Sequence, residues 1–287
     1  MRVLAGDLRI RAFGTPRALA RTCAATMRPV SPVVDRVRER WAAGEVALNA
    51  WLSLESPSSA GLVASAGFDA ATVDLQHGAA SLEHLGALVG AIEPSGAVPF
   101  ARVPWNDPAV VMRVLDLGVR GVICPMVNSA AEAEAFVRAC RYPPHGHRSY
   151  GPVRSAFGSG REHTERANEA VLTFAQIETA DGLEDIEAIC ATRGLDGVYV
   201  GPGDLSLSLG LEAFADLRDA HLLEAFDRIV SVALAHGVAP GIHAPSVEGA
   251  VDMAGRGFRF VGCAGDAKLL RAAAEQVVSR VRSDLRP

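Results

Sequence analysis

From about residue 45 the chain alternates short apolar runs with longer stretches in which apolar residues recur at helical spacing. The runs at 46–52, 70–75, 98–103, 121–126, 171–177, 197–200, 238–242 and 258–262 are bounded by polar or turn residues and read as buried strands. Helical periodicity fills 57–66, 82–92, 108–117, 129–140, 181–192, 219–236, 246–255 and 267–282. Eight strand–helix units in succession predict an α/β fold, a single (β/α)8 TIM barrel over residues 36–287. Local punctuation agrees. Asn106-Asp107-Pro108 places a capping side chain before a proline at the first helical position, and Ser129 and Asp181 are expected to cap the fourth and fifth helices. Gly118, Gly194 and Gly237 stand where helices must give way to strands. One long irregular stretch, 141–160, is rich in Pro, Gly, His and Arg; following the fourth strand, it is expected on the catalytic side as a lid or a subunit contact.

The 287 residues suit one such barrel, and 49% apolar residues suffice for its core. A net charge of −5 without Lys/Arg blocks leaves no electrostatic footprint for nucleic acid, and no apolar run is long enough to span a membrane. The five cysteines, Cys23, Cys124, Cys140, Cys190 and Cys263, form no C-x-x-C pair; buried free thiols in a reducing cytoplasm are expected. Residues 1–35 are Arg-rich, with only Asp7 acidic before Asp35, and are read as a disordered extension or as a mis-called start upstream of Met27.

In a parallel barrel the side chains at the C-terminal strand ends converge on one mouth, where the chemistry sits. Glu178 and Asp204 stand at the ends of the fifth and sixth runs. Each can be a helix-capping carboxylate, but together they supply the hard oxygen ligands that Mg²⁺ or Mn²⁺ takes, with Co²⁺ a third candidate. The second run ends in Asp74-Leu75-Gln76-His77, the third in Ala101-Arg102-Val103-Pro104-Trp105, and the seventh in Ile242-His243. His77 reads as a general base oriented by Asp74, or as a packed histidine. Arg102 reads as a clamp for a developing oxyanion, or as a rim salt bridge. Trp51 is a pocket wall, and the tight Gly201-Pro202-Gly203 backbone can aim the amides of Gly203 and Asp204 at a substrate carboxylate. Asp116 reads as a solvated helix position. Lys268, the only lysine among 28 Lys and Arg, lies beyond the last strand. A Schiff-base mechanism has no strand lysine to use, so a metal must act as the electron sink.

These residues resemble those of the HpcH/HpaI aldolase family, the metal-dependent class II pyruvate aldolases. The resemblance runs over about residues 40–280. It rests on Asp74-Leu75-Gln76-His77, Arg102-Val103-Pro104-Trp105-Asn106-Asp107-Pro108, Pro125-Met126-Val127, Arg141-Tyr142-Pro143-Pro144, Gln176-Ile177-Glu178-Thr179 and Gly201-Pro202-Gly203-Asp204-Leu205. It implies a barrel of the phosphoenolpyruvate/pyruvate-domain type that cleaves 4-hydroxy-2-oxo acids to pyruvate and an aldehyde through a metal-bound enolate. The resemblance also assigns roles: Glu178 and Asp204 as metal ligands, Arg102 on the pyruvate oxygen, His77 as base through water, and Gln176 at the substrate. Asp116 would reach a neighbouring subunit's histidine in a homohexamer. The partners implied are small molecules only, a 2-oxo acid and an aldehyde. Two departures stand out: Gln76 where many members carry glutamate, and His243 where an apolar residue is usual. An imidazole there suggests a polar or anionic acceptor. The rival readings are a citramalyl- or malyl-CoA lyase, for which no CoA groove is visible, and a non-catalytic barrel that binds a metal or a 2-oxo acid.

Overall fold

The computed structural model describes residues 35–156, 162–212 and 216–285, all within one compact unit spanning Pro32–Pro287. The expected extension at 1–35 lies, apart from Asp35, outside the described residues. The strands are β1 (Ala47–Leu52), β2 (Ala70–Asp74), β3 (Val98–Arg102), β4 (Gly121–Cys124), β5 (Leu172–Ile177), β6 (Gly197–Val200), β7 (Ala239–His243) and β8 (Phe260–Gly265). All are parallel and close in sequence order, with β8 pairing back onto β1. The helices are α1 (Asp35–Ala42), α2 (Pro57–Ala64), α3 (Leu85–Ile92), α4 (Pro108–Asp116), α5 (Ala130–Cys140), α6 (Glu162–Ala170), α7 (Ala180–Glu184), α8 (Ile186–Cys190), α9 (Pro202–Ser208), α10 (Ala220–Ala235), α11 (Val247–Gly255) and α12 (Asp266–Asp284).

Every expected strand is found, with ends shifted by a few residues. Inside the barrel Phe100, Phe174 and Phe260 meet at centroid separations of 4.9–5.7 Å. Their neighbours in register are Gly121 beside Phe100 and Gly197 beside Phe174. A Cβ on either glycine would lie 2.2 Å from the adjacent ring, so small residues alternate with large ones to let the rings fill the taper. Each buried ring contributes about 1.5–3 kcal/mol.

The termini of the helices follow local chemistry. Asp107 caps α4 by accepting from Ala109 N (2.8 Å), Pro108 takes the first turn, and Val111, Val114 and Leu115 are buried. Ser129 caps α5 as expected. Asp181 does not cap: Thr179 Oγ1 accepts from Gly182 N (3.0 Å), because the helix starts earlier than its apolar pattern suggests. The expected helix at 181–192 breaks at Asp185 into α7 and α8. Gly118, Gly194 and Gly237 all adopt positive φ after their helices.

Two further differences shape the barrel ends. The first is α1, which was not anticipated because only Val37, Trp41 and the small Ala42 in DRVRERWA are apolar. It closes the N-terminal end: Val37 is fully buried, and the Trp41 ring lies 6.1 Å from Phe174. The second is the stretch at 141–156, which does not lie on the catalytic side. It follows α5, which has already carried the chain back to the N-terminal end. There Arg141 donates to Val171 O (2.9 Å), Gly194 O (3.1 Å) and Asp196 Oδ2 (3.0 Å), just before or near the starts of β5 and β6. Ser155 N donates to Asp116 O at the end of α4. This segment braces the barrel floor and does not cover the mouth. Cys124, Cys140 and Cys190 are buried free thiols, Cys263 is half-buried, and Cys23 lies outside the described residues. Among the described residues no helix is long and apolar enough to cross a membrane.

Candidate active site

Register sets the first half of the site. Asp74 and Arg102 end adjacent strands as direct partners, which puts a carboxylate and a guanidinium at one height above the barrel. Arg102 grips Asp74 as a fork: Nε to Oδ1 at 2.9 Å and Nη2 to Oδ2 at 2.6 Å. Trp51 Nε1 donates to Oδ2 (3.2 Å), and the backbone N–H groups of Gln76 (3.1 Å) and His77 (3.3 Å) donate to Oδ1. Burial by itself would raise the Asp74 carboxyl, but the hydrogen bonds and charge of Arg102, with the two backbone donors, outweigh it. They hold Asp74 below the usual carboxylate range. The guanidinium also lies 4.8 Å over the Trp51 ring, which stacks on Tyr199 at 5.7 Å. Of the guanidinium's nitrogens, Nη1 stays outside the fork.

The Asp74–His77 dyad expected from the sequence is not formed. Asp74 reaches His77 only through its backbone N–H, and its oxygens are taken up by Arg102 and Trp51. Asp74 therefore positions Arg102, while the exposed His77 sits in the turn beyond β2 with its ring free to meet a substrate or water.

The second half follows β5. Glu178 is fully buried; its Oε1 accepts from Met126 N (2.8 Å) and its Oε2 from Gln176 Nε2. Met126 presents that N–H from a positive φ of 55°, a strained backbone of the kind that collects at functional sites. Burial raises the Glu178 carboxyl, the two donors oppose the rise, and the charge of Asp204 adds to it. Gly201 leaves room for this pair: a Cβ there would lie 2.4 Å from Glu178 Oε2 and 2.8 Å from Gln176 Nε2 and would push both side-chain ends aside. Asp204 is not at a strand end, as its spacing had suggested. It stands in the first turn of α9, exposed, one residue after Gly203, and the first intrahelical bond (Leu205 N to Gly201 O, 3.0 Å) leaves the amides of both ahead of the ladder.

With this geometry in hand, comparison with known proteins is decisive. The HpcH/HpaI aldolase/citrate lyase family profile matches residues 48–273. The chain belongs to that family. It is 38% identical over 250 residues to a hydroxypyruvate/pyruvate aldolase of Rhizorhabdus wittichii, covering 87% of this chain and 100% of that one. It is 33% identical over 245 residues to a 5-keto-4-deoxy-D-glucarate aldolase of Shigella dysenteriae, covering 85% and 95%. Among solved structures, an HpcH/HpaI aldolase/citrate lyase family protein from Burkholderia cenocepacia superposes with a TM-score of 0.80 at 32% identity, covering 87% of this chain and 98% of that one. Family membership makes the chain a carbon–carbon lyase of the aldolase type.

Glu178 keeps a lone pair on each oxygen beyond its two hydrogen bonds, Asp204 faces it without a counter-charge, and Arg102 is already neutralised by Asp74. Gln176 Oε1 is buried without a partner beside them. A hard divalent cation fits this donor set, since its charge would offset both the burial that chiefly raises Glu178 and the smaller repulsion from Asp204. Among the described residues no third His, Cys, Asp or Glu joins the two carboxylates, so such a cation would complete its shell with water or substrate oxygens.

A cavity of about 690 Å³ opens beside the site, lined by Trp51, Ser53, Gly203, His243, Cys263 and Lys268 among others. His243 closes β7 edge-on to Trp51, with ring centroids 5.1 Å apart. Asp116 is not part of this mouth. As the last residue of α4 it lies at the opposite barrel end, where Arg148 Nη2 donates to its Oδ1 (2.8 Å). Within one chain it does not approach His77. The sequence named Met126 and Gly201 only within motifs; their contacts with Glu178, both backbone matters, were not readable from it.

Proposed function

We propose that this protein is a divalent-cation-dependent aldolase that cleaves 4-hydroxy-2-oxo acids to pyruvate and an aldehyde, and joins them in reverse. The carrying observation is the buried Arg102, locked by Asp74 with Nη1 free, beside the buried Glu178 and its companion Asp204. A cation held by Glu178 and Asp204 would polarise the 2-oxo group as a Lewis acid. The remaining steps fall to the chain's own side chains. Arg102 Nη1 donates to the 2-oxo oxygen as negative charge develops there, and Asp74 and Trp51 keep the guanidinium from reorganising. His77, exposed at the mouth, takes the 4-hydroxyl proton directly or through a water. Gln176 orients Glu178 and leaves Oε1 for a donor on the substrate or a bound water.

The apolar face of α12 supports an oligomer: Leu270, Val277 and Val281 are exposed along it, and the outward Leu48 on β1 is uncovered. The relatives named as hydroxypyruvate/pyruvate and 5-keto-4-deoxy-D-glucarate aldolases support the 2-oxo acid as substrate class. The test is exchange of the pyruvate C3 protons for deuterium with Mn²⁺ added. Exchange that appears with Mn²⁺ and disappears on exhaustive chelation is expected; exchange or cleavage at full rate after chelation would eliminate the cation-dependent reading.

A further inference from the structure

We propose that Glu55 is a positioning residue for His77: from the loop after β1 it fixes the turn that presents the imidazole to the 4-hydroxyl. The inference rests on the aldolase reading above and adds a residue to it. His77 stands in the connection 75–84 between β2 and α3. The start of that connection is held by Asp74 Oδ1, which accepts from the backbone N–H groups of Gln76 (3.1 Å) and His77 (3.3 Å). Its far side is held by the β1–α2 loop. Ala79 N donates to Ser53 O (2.7 Å), and Ser81 N donates to Glu55 Oε2 (2.8 Å). Glu55 Oε1 lies 3.1 Å from His84 Nδ1, which is also 2.9 Å from Ser81 Oγ. Between the two ties the chain passes through Gly78, where a Cβ would lie 2.3 Å from Asp74 O and 3.2 Å from Ser53 O. The turn that carries His77 is therefore wedged between two strand ends and clamped on either side.

A clamp is only as firm as the loop that bears it, and this loop is fixed. Ser53 N (2.8 Å) and Leu54 N (3.1 Å) donate to the two oxygens of Asp266, a buried carboxylate at the start of α12. On the other side Ser56 caps α2 by accepting from Ser59 N (3.2 Å). Glu55 thus projects from backbone pinned before and after it. The backbone N–H and the hydroxyl of Ser81 hold its carboxyl below the usual range, so it is ionised where an aldolase works. An exposed Glu–His pair by itself contributes little. This one closes a ring of contacts around a base that must come within hydrogen-bond reach of a hydroxyl, and an error of about 1 Å in such a placement costs turnover about 10²-fold.

Two reactions separate the placing of His77 from the rest of the mouth. In cleavage of 4-hydroxy-2-oxopentanoate a base takes the 4-hydroxyl proton, the C3–C4 bond breaks with its electron pair passing to the pyruvate enolate, and acetaldehyde leaves. In decarboxylation of oxaloacetate the C3–C4 bond breaks to the same enolate with loss of CO₂, and the enolate takes a proton from water. Both use Arg102; only the first has a hydroxyl proton for His77 to remove. With Mn²⁺ present, Glu55→Ala should lower kcat for cleavage about 10–100-fold and leave decarboxylation within about twofold. Glu55→Gln, whose amide oxygen still accepts from Ser81 N, should recover most of the loss. His77→Ala should show the same split more deeply. In the metal-free protein, amide hydrogen exchange at 76–81 should quicken in Glu55→Ala. Parallel loss of both reactions in Glu55→Ala, or loss of neither, overturns the proposal, as does exchange at 76–81 equal to wild type. If His77→Ala cleaves at the wild-type rate, the base assignment falls and takes the role of Glu55 with it. Wild-type protein inactive on both substrates removes the aldolase reading itself, and this inference too.

Discussion

Two buried arginines at opposite ends of the barrel look alike until their partners are counted. Arg102 at the mouth and Arg141 at the floor have side chains 11% and 8% exposed, and each pairs with an aspartate at a strand boundary. Arg141 is tied down at both Nη atoms: Val171 O, Gly194 O, Thr173 Oγ1 and Asp196 all accept from them, and Asp196 is held in addition by Arg38. Arg102 is forked onto one carboxylate with Nη1 left over, beside an unpartnered Gln176 Oε1 and a sealed His243 Nδ1. Burial does not tell structure from function here. Unspent hydrogen-bonding capacity at the barrel mouth, beside a cavity, does.

The comparison is tested most severely by exchanging roles. Arg141→Ala should cost about 3–5 kcal/mol of stability by stranding buried acceptors, seen in denaturant unfolding, while the folded fraction keeps its kcat. If turnover of the folded fraction collapsed instead, the floor would not be merely structural. Arg102→Ala should lower turnover about 10²–10³-fold; a near-normal rate would remove the oxyanion role. Gly201→Ala pushes on Glu178 and Gln176 and should weaken Mn²⁺ binding about 10–100-fold, as loss of ligand support does elsewhere, with the titration midpoint as readout. An unmoved midpoint would mean that Glu178 does not hold the cation.

The smallest effect is in pH. Glu178 is raised above the ordinary 4.5, so its contribution to stability is fully present below that value and is lost as pH rises through its folded pKa. Asp74 is lowered below 3.8, so its contribution is present above that value and is lost only as pH falls through its own folded pKa. The stabilisation that Mn²⁺ provides should therefore shrink as pH falls through the raised Glu178 pKa while the Asp74–Arg102 fork persists. Thermal melts with and without Mn²⁺ across the acid range measure this; a Mn²⁺ increment constant down to pH 4 would contradict it.

Much of the fold was legible because strand and helix periods are local. The unread parts were those where local composition misleads. α1 carries too few apolar residues to register, yet Val37 and Trp41 find the barrel interior. The stretch at 141–156 was assigned to the wrong face because it was counted from β4 rather than from the helix that reverses the chain. For the site, the residue types at the mouth were readable, but the pairing was not: Asp74 was matched with its near neighbour His77 and belongs with Arg102.

What the sequence alone determined is the alternation that builds eight strand–helix units and the kinds of group presented at the strand ends. Tertiary structure decided which of them meet. Register brought Asp74 to Arg102, closure laid Trp51 against His243 and Tyr199, and the close approach of Gly201 shut Glu178 against Gln176. The reason is physical: periodicity is set between residues a few positions apart, whereas burial, charge pairing and unspent hydrogen bonds are set by neighbours that only the closed barrel supplies.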